Sequence, residues 1–220
     1  MFQFQSAQYP THKNKSNAVL VAGGCSNDLT AVLRDSMVLL YSEKSKLGMP
    51  APDFKLSSVD GKQYSLGSFK DKKALLISFI CNHCPYVQAV EDRMVQLRKD
   101  FQNASFQMVG ICSNDPTDYP DDAPASLLKR WKDKDFGFPY LVDVTQDVAK
   151  SYAAVCTPEF YLFDEHRKLV YRGRLDDNWK DAGQVKKRDL KEAIEALLAG
   201  KPLPAKQEPS MGCSIKWRAS

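Results

Sequence analysis

The chain has 220 residues, of which 43% are hydrophobic and 26% are charged, a composition that is ordinary for a globular protein. Its net charge of +4 comes from 31 basic and 27 acidic residues with no basic block, so nucleic acid is not an expected partner. No apolar run approaches the roughly 20 residues that span a bilayer, and six cysteines are too few for a disulfide scaffold in a chain of this length.

Residues 1–46 are set apart from the rest of the sequence. A polar stretch is followed by the short apolar run Ala18–Ala22 and then by Cys25. A lipoprotein signal would have a longer apolar core and a bulky aliphatic residue where Ala22 stands. We interpret this N-terminal extension as a disordered segment or as an artefact of a start site placed upstream of Met37. We expect a cytoplasmic protein, with periplasmic or lipoprotein export as the lesser alternative.

Residues 47–200 follow the alternating pattern of a single domain, and residues 201–220 form a proline-spaced tail. The pattern predicts, in order, a hairpin at 55–66 that turns at Asp60-Gly61, a buried strand at 74–80, a helix at 86–101, a strand at 105–112, a helix at 125–135, a strand at 138–142, a helix at 145–153 capped by Thr145, a hairpin of 159–164 with 169–174, and a last helix around Leu190 and Leu198. This alternation predicts an α/β fold with a central mixed β-sheet and helices on both faces.

The sequence Cys81-Asn82-His83-Cys84-Pro85 lies where the buried strand ends and the first helix begins. Two residues three apart at a helix start share one face, and their Cα atoms can approach to the roughly 5–6 Å that a disulfide needs. The helix N-terminus also favours a thiolate over a thiol. The spacing therefore predicts a redox-active dithiol, with Cys81 as the nucleophile and Cys84 as its resolving partner.

His83 stands between the two cysteines, and we expect its imidazole to lower the pKa of the Cys81 thiol. Two other interpretations stay open. The cysteines could be reduced structural residues, or Cys81, His83 and Cys84 could supply soft metal ligands, although zinc takes four. We expect neither a metal nor a cofactor. Cys156 and Cys213 are candidates for a third redox thiol, although cysteines in such positions more often have no redox role.

From about residue 47 to 199 the chain resembles the thioredoxin-fold branch that holds the alkyl-hydroperoxide-reductase/thiol-specific-antioxidant (AhpC/TSA) proteins and the TlpA-type thiol-disulfide oxidoreductases. Within that branch it is most similar to a peroxiredoxin-like subgroup with a Cys-Asn-His-Cys-Pro motif. The residues that carry the resemblance are Gly48–Phe54, Asp60–Phe69, Phe138-Pro139, Asp143, Tyr152, Thr157-Pro158, Asp164, and the tail Gly212–Trp217.

The resemblance implies a thioredoxin-like fold with Pro158 in the cis form, facing the dithiol. It also implies that the backbone of Thr157 is free to pair with a substrate strand. Substrates would be protein or small-molecule disulfides and thiols, with a thioredoxin-type protein as electron donor. The histidine between the cysteines predicts a dithiol more oxidising than that of thioredoxin, whose potential is about −270 mV.

Peroxiredoxins surround their peroxidatic cysteine with a proline, a Thr or Ser, and an arginine, and this chain matches the pattern in part. Ser78 stands three residues before Cys81, but Ala74 replaces the proline and Pro158 falls where the arginine belongs. Peroxide reduction needs groups that polarise the O–O bond. The sequence therefore favours thiol-disulfide exchange in cellular redox homeostasis over antioxidant peroxide reduction.

Two alternatives to disulfide exchange are kept. One is a thiol peroxidase that uses Cys81 and is resolved by Cys84 or Cys213. The other is a thioredoxin-fold binding module or metallochaperone without catalytic activity. The sequence also lacks two thioredoxin features, because Ile80 stands in place of the tryptophan and Leu75 in place of the buried acid. It therefore does not identify the group that takes the proton of Cys84.

Overall fold

The computed structural model describes residues 39–42 and 46–219. The expectations for the start site, for an export signal and for Cys25 lie outside the described residues. The strands in this part of the chain are β1 (Leu39–Tyr41), β2 (Lys55–Ser58), β3 (Gln63–Ser65), β4 (Ala74–Phe79), β5 (Phe106–Cys112), β6 (Tyr140–Val142), β7 (Cys156–Thr157), β8 (Glu159–Phe163), β9 (Leu169–Gly173) and β10 (Met211–Ser214). The α-helices are α1 (Pro85–Asp100), α2 (Pro124–Asp133), α3 (Asp147–Ser151) and α4 (Asp189–Leu198).

Seven of these strands form the central sheet, in the order β3-β2-β6-β5-β4-β8-β9. The pairs β4–β5 and β5–β6 are parallel, whereas the other neighbours in this sheet are antiparallel. A parallel pair needs a crossover connection, which α1 and α2 provide. The predicted central mixed β-sheet is confirmed.

Strand β4 lies inside the sheet, between β5 and β8, and all six of its residues are buried. Its side chains alternate between two apolar cores, as the pleat of a strand requires. Leu76 packs in one core with the apolar faces of α1 and α4, and Ile77 packs in the other with α3. Helices therefore cover both faces of the sheet, as predicted.

Three short strands form a second sheet, in the order β1-β10-β7. β10 belongs to the segment that the sequence indicates only as a tail, and it pairs antiparallel with both neighbours. Leu39 and Thr157 both face Cys213 in the register, from opposite sides. The C-terminal segment is therefore built into the fold beside the residues that precede Pro158.

The third helix differs from its prediction. It begins at Asp147 with Gln146 as its N-cap residue, not at Thr145. Gln146 adopts a left-handed backbone conformation with a φ of 65°. Its side-chain amide donates to the carbonyl oxygens of Ser113 and Lys216, at 2.7 Å and 2.8 Å, so tertiary contacts place the helix start. Of the helices that the structure describes, none is both long enough and apolar enough to cross a bilayer.

Candidate active site

The two cysteines of the predicted dithiol lie at the start of α1, at the carboxyl end of the buried strand β4. Pro85 occupies the first turn of α1, where its missing N–H is no loss, and Cys84 is the N-cap residue in an extended conformation. Cys81 Sγ lies 3.2 Å from Oγ1 of Thr157, and Cys84 Sγ donates to the carbonyl oxygen of Thr157 at 3.1 Å. The Thr157-Pro158 peptide bond is cis, as the resemblance implies.

Both sulfur-bearing residues are buried, with 1% of Cys81 and 0% of Cys84 exposed. No disulfide joins the five cysteines that the structure describes, so the dithiol is in its reduced form. A substrate can react with a buried thiol only if it passes the segments that cover the sulfur atom. The positions of those segments therefore determine how accessible the dithiol is.

Asp122 is a residue of the site that the sequence did not single out. It is 2% exposed and lies in a short 3₁₀ turn that precedes α2. Its Oδ1 accepts hydrogen bonds from the backbone N–H groups of Asn82 and His83, at 2.7 Å and 3.2 Å. The side-chain amide of Asn114 donates to its Oδ2 at 2.8 Å. The carboxylate thus holds the turn between the two cysteines in place.

Four aspartates crowd the loop from which Asp122 comes, and nothing in the sequence distinguishes the buried one from the rest. The position of Asp122 could have been inferred from a missing group. Thioredoxin-like sites have a buried acid, and Leu75 stands on β4 where that acid would be. The proline-rich loop after β5 is the adjacent segment that carries carboxylates, and it ends in the 3₁₀ turn that delivers one of them.

His83 does not act on Cys81 in the predicted way. Its Nδ1–H donates to Oδ2 of Asp122 at 2.5 Å, and its ring stacks on Tyr119 with the centroids 4.4 Å apart. The pKa of the Cys81 thiol is raised well above its usual value, first because of burial, then because of Cys84 and the charge of Asp122. The expectation that His83 lowers the pKa of Cys81 is therefore wrong for this state, since burial, Cys84 and the charge of Asp122 all raise it.

The pKa of the Cys84 thiol is lowered instead. The largest cause is a hydrogen bond from the Cys213 thiol, followed by one from Cys81, while the backbone of Cys213 adds another. The N-terminus of α1 acts in the same direction. The carbonyl oxygen of Thr157 opposes this charge, because it can only accept a hydrogen bond. Among the three neighbouring sulfurs, a single negative charge is best placed on Cys84.

The Thr157 backbone is not free, which corrects the implication of the resemblance. Thr157 pairs with Cys213 of β10. A side-chain Cβ added to the adjacent Gly212 would lie 1.9 Å from the carbonyl oxygen of Thr157, so only a glycine allows this approach. The edge that a substrate strand would use is therefore occupied by the chain's own C-terminal segment.

The other predicted site residues are placed as follows. Asn82 is buried, and its side-chain amide donates to the carbonyl oxygen of Ser126 at 3.1 Å, which links the dithiol turn to α2. Ser78 is buried on β4, and its Oγ has no hydrogen-bond partner among the described residues. Cys156 precedes Thr157 on β7, so its side chain points to the other face of the strand. Burial raises the pKa of Cys156, as it does for Cys112 at the end of β5.

Cys81, His83 and Asp122 each offer one donor atom, and the three atoms lie within 4.8 Å of one another. This is the one such group among the described His, Cys, Asp and Glu residues, and it does not include Cys84. A structural zinc site takes four ligands in tetrahedral geometry. The Nδ1 atom of His83 is already engaged by Asp122, so the geometry resembles a hydrogen-bonded His–Asp pair beside a thiol more than a metal centre.

A cavity of about 180 Å³ lies beside the cis proline. Its walls come from α1, the loop after β9 and the C-terminal segment, through residues that include Val90, Pro158, Phe160, Trp179 and Met211. The lining is mainly apolar but includes Ser210 and the charged residues Arg174, Asp176 and Asp177, and Asp176 pairs with Arg93 at 2.6 Å. The cavity offers an apolar recess next to the residues that contact both sulfurs.

Comparison with known proteins agrees with this geometry. The AhpC/TSA family model matches residues 47–172. A crystal structure of an uncharacterised conserved protein from Geobacillus kaustophilus is 45% identical with a TM-score of 0.81, and the alignment covers 84% of this chain and 99% of that one. The name of this relative states no activity, so its likeness supports the fold.

Relatives with a named activity are more distant. The thiol-disulfide oxidoreductase ResA of Bacillus thuringiensis is 22% identical over 156 residues, which cover 71% of this chain and 79% of the relative. The thioredoxin domain of a thiol-disulfide oxidoreductase from Bacteroides vulgatus is 19% identical, with a TM-score of 0.55 over 70% of this chain and 99% of that one. This last likeness confirms the thioredoxin-like fold.

Proposed function

The chain belongs to the AhpC/TSA family, and on that premise we propose that it is a thiol-disulfide oxidoreductase whose redox centre is the Cys81–Cys84 dithiol. The observation that carries the proposal is that both sulfurs contact Thr157, the residue before a cis proline, at the start of a helix. This arrangement places two thiols that can form a disulfide next to Pro158, which lines the neighbouring cavity.

The reaction proceeds in two exchanges. The Cys81 thiolate attacks one sulfur of the substrate disulfide, so that a mixed disulfide forms and the first substrate thiol leaves. Cys84 then attacks Sγ of Cys81, the mixed disulfide breaks, and the second substrate thiol leaves. The substrate gains two electrons and two protons, which the dithiol loses. A thioredoxin-type donor would return them by the reverse exchange.

Asp122 and His83 supply the acid–base group of this scheme. Their oxygen and nitrogen atoms lie within 4.8 Å of Sγ of Cys81. The two side chains are hydrogen-bonded, with Asp122 buried and His83 half-buried, and the pair replaces the acid that Leu75 removes from the sheet. In the proposed reaction it takes the proton of Cys81 before attack, and the raised pKa of that thiol makes such a group necessary.

Burial of the dithiol limits the substrates. With 1% of Cys81 exposed and the Thr157 edge occupied, a small disulfide approaches the sulfur more easily than a folded protein does. The same burial favours a second candidate, a thiol peroxidase in which Cys81 reduces a small hydroperoxide. Disulfide exchange is preferred over it, because Pro158 and Ala74 still stand where peroxide-handling groups would be.

The test compares two disulfides of different size. Reduction of glutathione disulfide and of insulin is measured with the full chain, with Cys81→Ser and Cys84→Ser, and with Cys156→Ser as the matched control. We expect Cys81→Ser to lose catalytic turnover of both disulfides, Cys84→Ser to accumulate a mixed disulfide at Cys81, and Cys156→Ser to act as the parent does. Exchange rates that Cys81→Ser leaves unchanged would refute the proposal.

Two further measurements separate the alternatives. Hydrogen peroxide consumption faster than disulfide exchange would favour the thiol peroxidase. Stoichiometric metal in the purified protein, lost in Cys81→Ser and with no thiol exchange in the parent, would favour the metallochaperone. A cytoplasmic location stays a prediction, which fractionation of cells that express the full chain can check.

A further inference from the structure

The C-terminal strand β10 brings a third sulfur to the dithiol. In its register Cys213 stands directly opposite Thr157, the residue that both sulfurs of the dithiol contact. Gly212 lets the two backbones approach closely, because any side chain at that position would overlap the carbonyl oxygen of Thr157. β10 thus takes the position in which an extended substrate would pair, and it presents a cysteine there.

Cys213 is in direct contact with Cys84. Its thiol and its backbone both hydrogen-bond to the sulfur of Cys84, and 1% of the residue is exposed. The pKa of Cys213 is raised, with this bond to Cys84 as the largest cause, whereas the pKa of Cys84 is lowered, so a negative charge is more favourable on Cys84 than on Cys213. Sulfur atoms in such contact are the ones that exchange when one of them is part of a disulfide.

The segment that carries Cys213 is held on both sides of it. On one side, Oγ of Ser210 donates to the carbonyl oxygen of Gly173 at 2.6 Å. On the other side, the backbone N–H of Lys216 donates to Oδ1 of Asn114 at 2.9 Å. Since Asn114 also donates to Asp122, the segment is tied to the acid of the active site. Cys213 is therefore a fixed member of the site.

We propose that Cys213 is a third redox-active thiol, which attacks Sγ of Cys84 in the oxidised protein and converts the Cys81–Cys84 disulfide into a Cys84–Cys213 disulfide. The bond between Cys81 and Cys84 breaks, the bond between Cys84 and Cys213 forms, and Cys81 leaves as a thiolate. The proton of Cys213 passes to the Asp122–His83 pair or to Cys81. No electrons are gained or lost, so the step needs no further oxidant.

This exchange rests on the proposed function, which supplies the Cys81–Cys84 disulfide. Its consequence is that the oxidised protein regains a nucleophile. Cys81 becomes a thiol again, beside Thr157 Oγ1 at 3.2 Å, while the oxidising equivalent is stored between Cys84 and Cys213. A second substrate or the electron donor can then form a mixed disulfide at Cys81 without first reducing the internal disulfide.

The experiment maps disulfides in the full chain. Reduced protein is treated with glutathione disulfide, quenched with acid, alkylated, digested and analysed by mass spectrometry. The variants are Cys81→Ser, Cys213→Ser and Cys81→Ser combined with Cys213→Ser, with Cys156→Ser as the matched control. Circular dichroism verifies that each is folded, and Cys81→Ala replaces Cys81→Ser if the serine variant is not.

In the parent and in Cys156→Ser we expect both the Cys81–Cys84 and the Cys84–Cys213 peptides. In Cys81→Ser we expect Cys84–Cys213 as the internal disulfide, and in the double variant only glutathione bound to Cys84. The proposal is overturned if Cys81→Ser yields only the glutathione adduct, or if Cys84 pairs with Cys156. A parent that forms the Cys84–Cys213 disulfide in this single oxidation but shows no catalytic turnover of insulin or glutathione disulfide refutes the proposed function alone, because the disulfide map needs only one round of oxidation.

Discussion

Replacing Asp122 with asparagine removes the charge beside the dithiol while it keeps the shape of the side chain. Oδ1 of the new amide can still accept the backbone N–H groups of Asn82 and His83, so the turn between the cysteines is retained. The negative charge that raises the pKa of Cys81 is lost. We therefore expect the pKa of Cys81 to fall in this variant.

The size of the fall follows from the geometry. The oxygen of Asp122 lies within 4.8 Å of Sγ of Cys81, and at an effective dielectric constant of about 20 one unit charge at that distance contributes about 3.5 kcal/mol. Hydrogen bonds from His83 and Asn114 spread part of the charge. We expect the pKa of Cys81 to fall, with a free-energy change below this full Coulomb energy.

The same substitution costs stability, because the amide nitrogen that replaces Oδ2 meets the side-chain amide of Asn114 donor against donor. A lost hydrogen bond to a buried charged group costs about 1.5–3 kcal/mol. We expect the free energy of unfolding in urea to fall by about 2–4 kcal/mol. Asp121→Asn is the matched control, since Asp121 is exposed in the same 3₁₀ turn.

The assay is the pH dependence of alkylation by iodoacetamide, with Cys81 identified by mass spectrometry. The reaction of Cys81 should reach half its limiting rate at lower pH in Asp122→Asn than in the parent, and Asp121→Asn should match the parent. A pKa that rises, or an equal shift in both variants, would refute the electrostatic role of Asp122. An unchanged stability would refute the hydrogen-bond account.

Three further substitutions address other parts of the site. The pKa of Cys84 is lower in the folded protein than in the unfolded chain, where it is about 8.5. The thiolate therefore stabilises the folded reduced protein fully above about pH 8.5, and less as the pH falls. Cys84→Ser should accordingly lower the free energy of unfolding more near pH 8 than near pH 5. Glu159→Gln leaves Arg172 buried beside a neutral group, and equilibrium unfolding should show a loss of about 3–5 kcal/mol. Gly212→Ala forces β10 away from Thr157, so the dithiol should be alkylated faster and the protein should be less stable.

Each of these has a matched control and a contrary outcome. Cys156→Ser should show no such pH dependence, and an equal dependence in both cysteine variants would contradict the placement of the charge on Cys84. Glu165→Gln changes an exposed carboxylate and should cost little; a similar loss there would remove the special role of Glu159. Gly67→Ala meets only an ordinary contact at 3.6 Å. Slow alkylation in Gly212→Ala would mean that β10 does not cover the dithiol.

The sequence predicts the interior strands β4, β5 and β8 well, because they are apolar runs bounded by turn residues. The segment from Ala74 to Ile80 is continuously apolar apart from Ser78, and the structure places it between β5 and β8 with both faces of the sheet covered. The face of α1 is equally clear, since Val87, Val90 and Met94 follow helical spacing and are all buried. Local pattern and tertiary packing agree in these elements.

The second sheet was not predictable in the same way. β7 has two residues and β1 has three, too few to show a period, and Met211–Ser214 contains a glycine and polar residues. Their pairing depends on contacts between segments distant in the chain. The same holds for Asp122, which is one aspartate among several until the 3₁₀ turn directs it inward. The dithiol itself could be found because its chemistry depends on local spacing.

Asn114 connects the C-terminal segment to the active site, and this connection affects where the chain can be shortened or tagged. Its side-chain carbonyl accepts the backbone N–H of Lys216, and its amide holds Asp122. A shortened version that ends before Ser210 would leave both β7 and β1 without their shared neighbour, and unpaired strand edges invite association between molecules. Purification tags are therefore better placed at the N-terminus. If a shortened version precipitates, the first explanation to consider is the unpaired strands β1 and β7, and not the loss of a redox residue.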